Sequence, residues 1–225
     1  MKRTLAGILV VLAVVVGLTT TDAKVRKPHT GPIRVLLIGD SITVSYQARV
    51  AELLGAGYAV TGGGVGGTGL LDLGICDGAR AKALLKQVDA DIAVVEYTGN
   101  YGAVSYAPGY QGSAAATCLP GETWGSKQWH KRWKASATKM RNKLASKGGR
   151  VMFVLVPTTT RAGFAPLIST LDANYRKVAR ADVVDAWTAF GGSTFDASLH
   201  TSDGLHLSPA GVERMAQTIV AKVQG

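Results

Sequence analysis

Three residues have the types and the spacing for nucleophilic chemistry. Ser41 stands in the stretch "LLIGDSITVSY" (36–46), where an apolar run climbs to Gly-Asp-Ser and then turns helical in pattern. Asp203 and His206 stand far downstream, in "DGLH". A serine hydroxyl attacks a carbonyl only with a general base in hydrogen-bond reach and, usually, a third group that orients the base. Asp-x-x-His spacing can put both side chains on one side of a turn. The carboxylate then takes the second imidazole nitrogen, fixes the tautomer and stabilises the imidazolium. Attack also needs donors aimed at the developing oxyanion. Ser41 offers its own N–H at the positive end of a helix. Gly67, in "GVGGTG", can bring another N–H close, because glycine permits close approach and unusual backbone angles. Asn100 can offer a side-chain N–H. No Cys/His spacing suggests a metal site, and no cofactor is expected.

Each feature has a plainer reading. Gly-Asp-Ser also describes a strand-to-helix turn with a serine cap. "DGLH" also describes a surface loop in which Asp203 begins a turn with Gly204. The glycine cluster from Gly62 to Gly69 reads equally as a turn, and Asn100 as a turn cap. His200 is close enough to His206 to compete as the base but lacks the carboxylate spacing. His29 falls in a basic segment and His130 on a cationic helix.

The elements that must position these groups alternate. Apolar runs predict strands at Ile33–Ile38, Tyr58–Thr61, Asp91–Tyr97, Val151–Val156 and, more weakly, Val183–Trp187. Helical spacing falls between them, at Ser41–Leu54, Asp77–Val88, Trp124–Ser146 and Ala165–Arg180, and a closing helix at Ser208–Val223 has Ser208 as cap and Pro209 in its first turn. Such alternation implies right-handed βαβ units and a parallel sheet covered on both faces. Active sites of these sheets lie at the carboxyl ends of the strands. Gly39-Asp40-Ser41, the glycine cluster, Asn100 and "SDGLHLSPAG" (202–211) all fall on that one edge.

The N-terminus is expected to be separate: residues 1–23 as a signal peptide, 24–32 as a basic flexible linker, and 33–225 as one domain. Lys2 and Arg3 precede an uncharged run of about 14 residues, Leu5 to Leu18. That run spans about 21 Å as a helix, short of a ~30 Å hydrocarbon core. Thr21-Asp22-Ala23 suits cleavage after Ala23. The alternative is an uncleaved, tilted anchor. The formal charge of +10 is concentrated in Lys127–Lys147, which reads as a solvated helix face or as a surface for anionic envelope polymers. Nucleic acid is a poor match for an exported chain with no nucleic-acid motif, and a monomer is expected. Export also suits one disulfide, Cys76–Cys118, closing a loop of about 43 residues and worth ~4 kcal/mol on chain entropy, with two free thiols as the alternative.

From Ile33 to the C-terminus the chain resembles the SGNH (GDSL) hydrolase superfamily. Gly39-Asp40-Ser41 matches its nucleophile block, Gly67 its second-block glycine, Asn100 its third-block asparagine and Asp203-Gly204-Leu205-His206 its final Asp-x-x-His block. The resemblance implies a flavodoxin-like three-layer α/β/α fold with a five-stranded parallel sheet, and metal-free ester hydrolysis. Ser41 would be the nucleophile, His206 the base and Asp203 its orienter. The N–H groups of Ser41 and Gly67 and the Asn100 amide would form the oxyanion hole. The third block departs from Gly-x-Asn-Asp, reading Thr98-Gly99-Asn100-Tyr101. Glu96, ending an apolar strand, reads as a solvated strand end or as support for the site. The insert after Asn100 brings Tyr101, Tyr106 and Trp124 over the catalytic edge as candidate substrate contacts, while Trp129 and Trp133 have the spacing to pack a helix on the sheet. Export, positive charge and aromatic residues favour an O-acylated envelope carbohydrate or glycoconjugate. Acyl transfer from the same serine, a lipase or short-chain esterase, and a non-catalytic glycan-binding module are the alternatives.

Overall fold

The first strand, β1 (Ile33–Gly39), is apolar on both faces, and each face meets a different helical layer. Val35 and Leu37 pack with Ile42, Tyr46 and Val50 of α1 (Ser41–Leu54) and with Met215, Ala216 and Ile219 of α5 (Pro209–Gln224). Leu36 and Ile38 pack with Trp129 and Trp133 of α2 (Lys127–Ala145) and with Leu171 and Tyr175 of α3 (Ile168–Ala179). The sheet is completed by β2 (Tyr58–Gly64), β3 (Ile92–Glu96), β4 (Arg150–Val154) and β5 (Val183–Val184), and a short helix, α4, covers Ala186–Ala189. The strand order is β2-β1-β3-β4-β5 and every pairing is parallel. This computed structural model describes residues 30–70, 84, 86–100 and 125–225. The expected signal peptide, the Cys76–Cys118 pair, most of the Asp77–Val88 helix and the insert with Tyr101, Tyr106 and Trp124 lie outside the described residues. Among the described residues, no helix is long and apolar enough to cross a membrane.

This is the expected three-layer α/β/α sandwich with a five-stranded parallel sheet. The winding reverses between β1 and β3, which opens a crevice at their carboxyl ends, the place where such sheets bind ligands. Four local expectations need correction. Gly62, Gly63 and Gly64 are not turn residues: they pair in register with Leu37, Ile38 and Gly39. The fifth strand stops at Val184 rather than Trp187, because the Asp185 carboxylate accepts the Thr188 N–H and so starts α4. The helix read from Trp124 begins at Lys127, where Ser126 accepts the Trp129 N–H. The cap of α1 is Asp40, and Ser41 is the first helical residue. Trp129 and Trp133 are buried and stacked, ring centroids 4.8 Å apart, so they hold α2 to the sheet. The lysines of α2, Lys127, Lys131, Lys134, Lys139 and Lys143, face outward.

Candidate active site

The turn that presents Ser41 is built by close contact. A Cβ at Gly39 would lie 2.1 Å from the Glu96 carbonyl oxygen and 2.1 Å from Thr43 Oγ1, so only glycine lets β1 end against β3. Asp40 follows in extended conformation, and its Oδ1 accepts the Ile42 N–H at 2.9 Å. Ser41 therefore sits at the first position of α1, where N–H groups have no intrahelical acceptor and the helix end is positive.

Ser41 Oγ is 3.0 Å from His206 Nε2, although the two residues are 165 positions apart. His206 Nδ1 is 2.6 Å from Asp203 Oδ2. Asp203 is fixed in turn. Its Oδ1 accepts from the Thr201 hydroxyl at 2.8 Å and from the Leu205 and His206 N–H groups at 3.0 Å each. Partial burial works against the charge on Asp203, but the donors from Leu205, His206 and Thr201 outweigh it and hold the carboxyl far below the usual range. An ionised Asp203 makes Nδ1 the protonated nitrogen, which leaves Nε2 free to accept the Ser41 proton. Gly204 allows the turn: its φ is +68°, and a Cβ there would meet Thr160 Oγ1 at 2.1 Å. The loop after β4 braces it from outside. The Thr159 hydroxyl and the Thr160 N–H both donate to the Gly204 carbonyl, and Arg161 Nη1 donates to Asp203 Oδ2 at 3.0 Å.

Behind the serine lies a buried polar network that the sequence only hints at. Asp40 Oδ2 accepts from the Thr98 N–H at 2.9 Å, the Thr98 hydroxyl at 2.7 Å and Asn100 Nδ2 at 2.9 Å. Glu96 is fully buried, and its Oε2 accepts from the Thr43 hydroxyl at 2.9 Å. The Tyr46 hydroxyl, 3.0 Å from Thr43 Oγ1, then donates to it. Glu96 Oε1 faces no donor among the described residues, and the acid lies in the same buried network as Asp40, the two joined through the turn of Thr43 and the exit of β3. Burial raises both acids, but four donors converge on Asp40 and one on Glu96, so Asp40 is the one better able to hold a charge. Burial and the neighbouring Asp40 charge push Glu96 well above the carboxylate range.

Asn100 thus reaches the serine turn through Asp40, with one amide hydrogen spent on that carboxylate. Gly67 lies in the turn after β2, closed by the Thr68 N–H on the Val65 carbonyl at 3.3 Å; Val65 N–H donates to the Gly39 carbonyl at 3.0 Å. A Cβ at Gly66 would lie 3.9 Å from the Ser41 Cβ, in ordinary contact, so the turn that holds Gly67 runs beside the serine. His200 is a packing residue: it is buried, stacked on Phe195 at 4.8 Å, with Nδ1 3.4 Å from the Leu205 carbonyl oxygen. The sequence names Asp40 and Thr98 only as members of their blocks, with no role of their own, and does not point to Thr43 or Arg161. Among the described residues no cluster of His, Cys, Asp and Glu could hold a metal ion.

The family model described as "Protein of unknown function (DUF459)" matches residues 34–222. No curated protein matches the sequence significantly. Among solved structures, the chain is similar to Axe2, an acetylxylan esterase from Geobacillus stearothermophilus, at 16% identity and TM-score 0.64, covering 87% of this chain and 96% of that one. It is also similar to a candidate SGNH hydrolase from Slackia heliotrinireducens, at 16% identity and TM-score 0.63, covering 86% and 100%. A lipase/acylhydrolase from Enterococcus faecalis matches at 20% identity and TM-score 0.59, covering 85% and 95%. At these identities the likeness establishes the fold, which is that of the SGNH hydrolases.

Proposed function

The chain belongs to the DUF459 family, a family of unknown function, and we propose that it is a serine ester hydrolase working through an acyl-Ser41 intermediate. The observation that carries this reading is the continuous hydrogen-bonded line from Ser41 Oγ through His206 to Asp203, at 3.0 and 2.6 Å. Ser41 Oγ adds to the ester carbonyl as its proton passes to His206 Nε2, and Asp203 stabilises the imidazolium. The Ser41 and Gly67 N–H groups and the remaining Asn100 amide hydrogen are the proposed oxyanion donors. The tetrahedral adduct collapses by returning the His206 proton to the departing alcohol. Water, deprotonated by the same nitrogen, then attacks the acyl-serine, and the acid leaves with Ser41 restored.

The proposed substrate is an O-acylated carbohydrate or glycoconjugate outside the cytoplasm. Support comes from the signal-like N-terminus and from a similar structure that is an acetylxylan esterase. The basic face of α2 suits an anionic envelope surface. A fluorophosphonate tests the chemistry directly. The wild-type protein should take one adduct, mapped to Ser41, and the Ser41→Ala protein none, with loss of 4-nitrophenyl acetate turnover and no change in its circular dichroism. An active Ser41→Ala protein would overturn the mechanism.

A further inference from the structure

A cavity of about 510 Å³ opens between α3, the loop after β4 and the α4 segment, and it does not include Ser41. Its size falls in the range of small-molecule sites. We infer that it is a sugar-ring subsite that seats one ring of an acylated glycan beside the Ser41 ester site; this rests on the esterase reading above.

The lining has the two characters a pyranose needs. Trp187, half-buried, and Ile168 supply an apolar surface for the C–H face of a ring. Asp172 and Ser193 supply acceptors and donors for its hydroxyls, Thr158 Oγ1 an acceptor, and Arg176 the donors left beside its 3.4 Å pair with Asp185. Asp172 is the buried member, 8% exposed. Its Oδ1 is spent on the Val156 N–H at 2.9 Å, which leaves Oδ2 as the oxygen with capacity for a ligand. Burial pushes this carboxyl up to about 7, so near neutral pH it can either accept from or donate to a hydroxyl. An acyl chain in the same place would strip water from Asp172 and Arg176 without replacing its hydrogen bonds, which is unfavourable. The indole is held in place: the Thr158 hydroxyl and the Trp187 carbonyl both bond Gly192, whose Cβ, if present, would meet Trp187 Cη2 at 3.3 Å.

The cavity is tied to the triad by one loop. Thr158 and Thr159 line it, Thr159 and Thr160 hold the Gly204 carbonyl, and Arg161 holds Asp203. With consecutive Cα atoms 3.8 Å apart, the cavity wall and the Asp203 turn are on the order of 10 Å apart. Thr159 both lines the cavity and bonds Gly204, so on this proposal a seated ring borders the Asp203 turn and extends its neighbour toward Ser41.

The test compares Trp187→Ala and Asp172→Asn with wild type on two substrates. The second variant keeps an acceptor for the Val156 N–H and so guards against misfolding. With 4-nitrophenyl acetate, too small to span both sites, kcat/KM should stay within about twofold of wild type. With acetylated xylotetraose it should fall about tenfold, mainly through KM, the weight of one hydrogen bond or aromatic contact. Equal effects on the two substrates, or a selective loss on 4-nitrophenyl palmitate, would overturn the subsite. Calorimetric binding of xylo-, chito- and mannotetraose to Ser41→Ala separates this from the esterase reading. A wild-type protein inactive on every ester refutes the esterase. A tetraose that binds, and binds at least tenfold more weakly when Trp187→Ala is added, still supports the cavity, whereas binding of none of the three refutes it.

Discussion

Glu96→Gln tests the electrostatics behind Ser41. In the folded protein Glu96 keeps a proton because it is buried beside the charged Asp40. In the unfolded chain it loses that proton near pH 4.3. The folded state therefore binds more protons above that pH, and stability contributed by Glu96 is complete below it and declines as pH rises toward the raised folded value. The slope is about 1.4 kcal/mol per pH unit, or up to about 4 kcal/mol between pH 5 and pH 8. Glutamine imitates the neutral acid. Its carbonyl can accept from Thr43, its amide can donate to Asp40, and it does not titrate. Urea unfolding of both proteins, followed by circular dichroism at pH 5 and pH 8, isolates this term because every other group is common to the pair. The variant should gain on the wild type between pH 5 and pH 8, by no more than the ~4 kcal/mol that three pH units allow, with 4-nitrophenyl acetate turnover kept at the wild-type level. An equal stability difference at both pH values would show that Glu96 is ionised in the fold, and the assignment of the proton would be wrong.

Asn100→Ala should lower kcat by about 10²–10³ if its free amide hydrogen serves the oxyanion, and a loss below about threefold would remove it from the site. Intact mass of protein recovered from secretion should place the N-terminus after Ala23 and rise by two hydrogens on reduction, as one Cys76–Cys118 bridge requires; an unchanged mass would mean two thiols.

The sheet was legible because each strand core is a short apolar run flanked by glycine, proline or polar residues, and burial on both faces of a parallel sheet leaves that signature. The boundaries were less so. Gly62-Gly63-Gly64 carry no side chains to alternate, yet backbone pairing with β1 makes them strand. Val183–Trp187 looks like a strand by composition, but the Asp185 cap acts after two residues. Ser41, Asp203 and His206 were legible because their blocks follow the strands in the order of the family the chain resembles, each being ambiguous alone; the structure brings them within hydrogen-bond reach. Trp187 was not, being one aromatic in an unremarkable segment; the cavity it lines is drawn from residues 158–193, a loop, a helix and the α4 segment that face one another only in the fold. Glu96 showed only as a polar residue at a strand end, where a solvated carboxylate is the commoner outcome. Its burial depends on Thr43 and Asp40 arriving from the turn after β1.

The three acids around the serine turn have different tasks because their surroundings differ. Asp203 is one-third exposed and gathers its donors within a single turn, so it stays charged and keeps Oδ2 on His206. Asp40 is as close to Ser41 in sequence as a residue can be, yet it cannot serve the base. Its oxygens are committed to Ile42, Thr98 and Asn100, all on the buried side. A negative charge fixed directly behind a nucleophile would oppose the oxyanion formed on attack. The donors that converge on Asp40 spread that charge into the backbone of β3's exit. Protonation of Glu96 keeps a second charge from joining it. Divergent environments for neighbouring carboxyls separate acid, base and spectator roles at active sites. In the proposed mechanism they leave His206–Asp203 as the pair that moves the proton and Asp40–Glu96 as the pair that holds the turn and Asn100 in place.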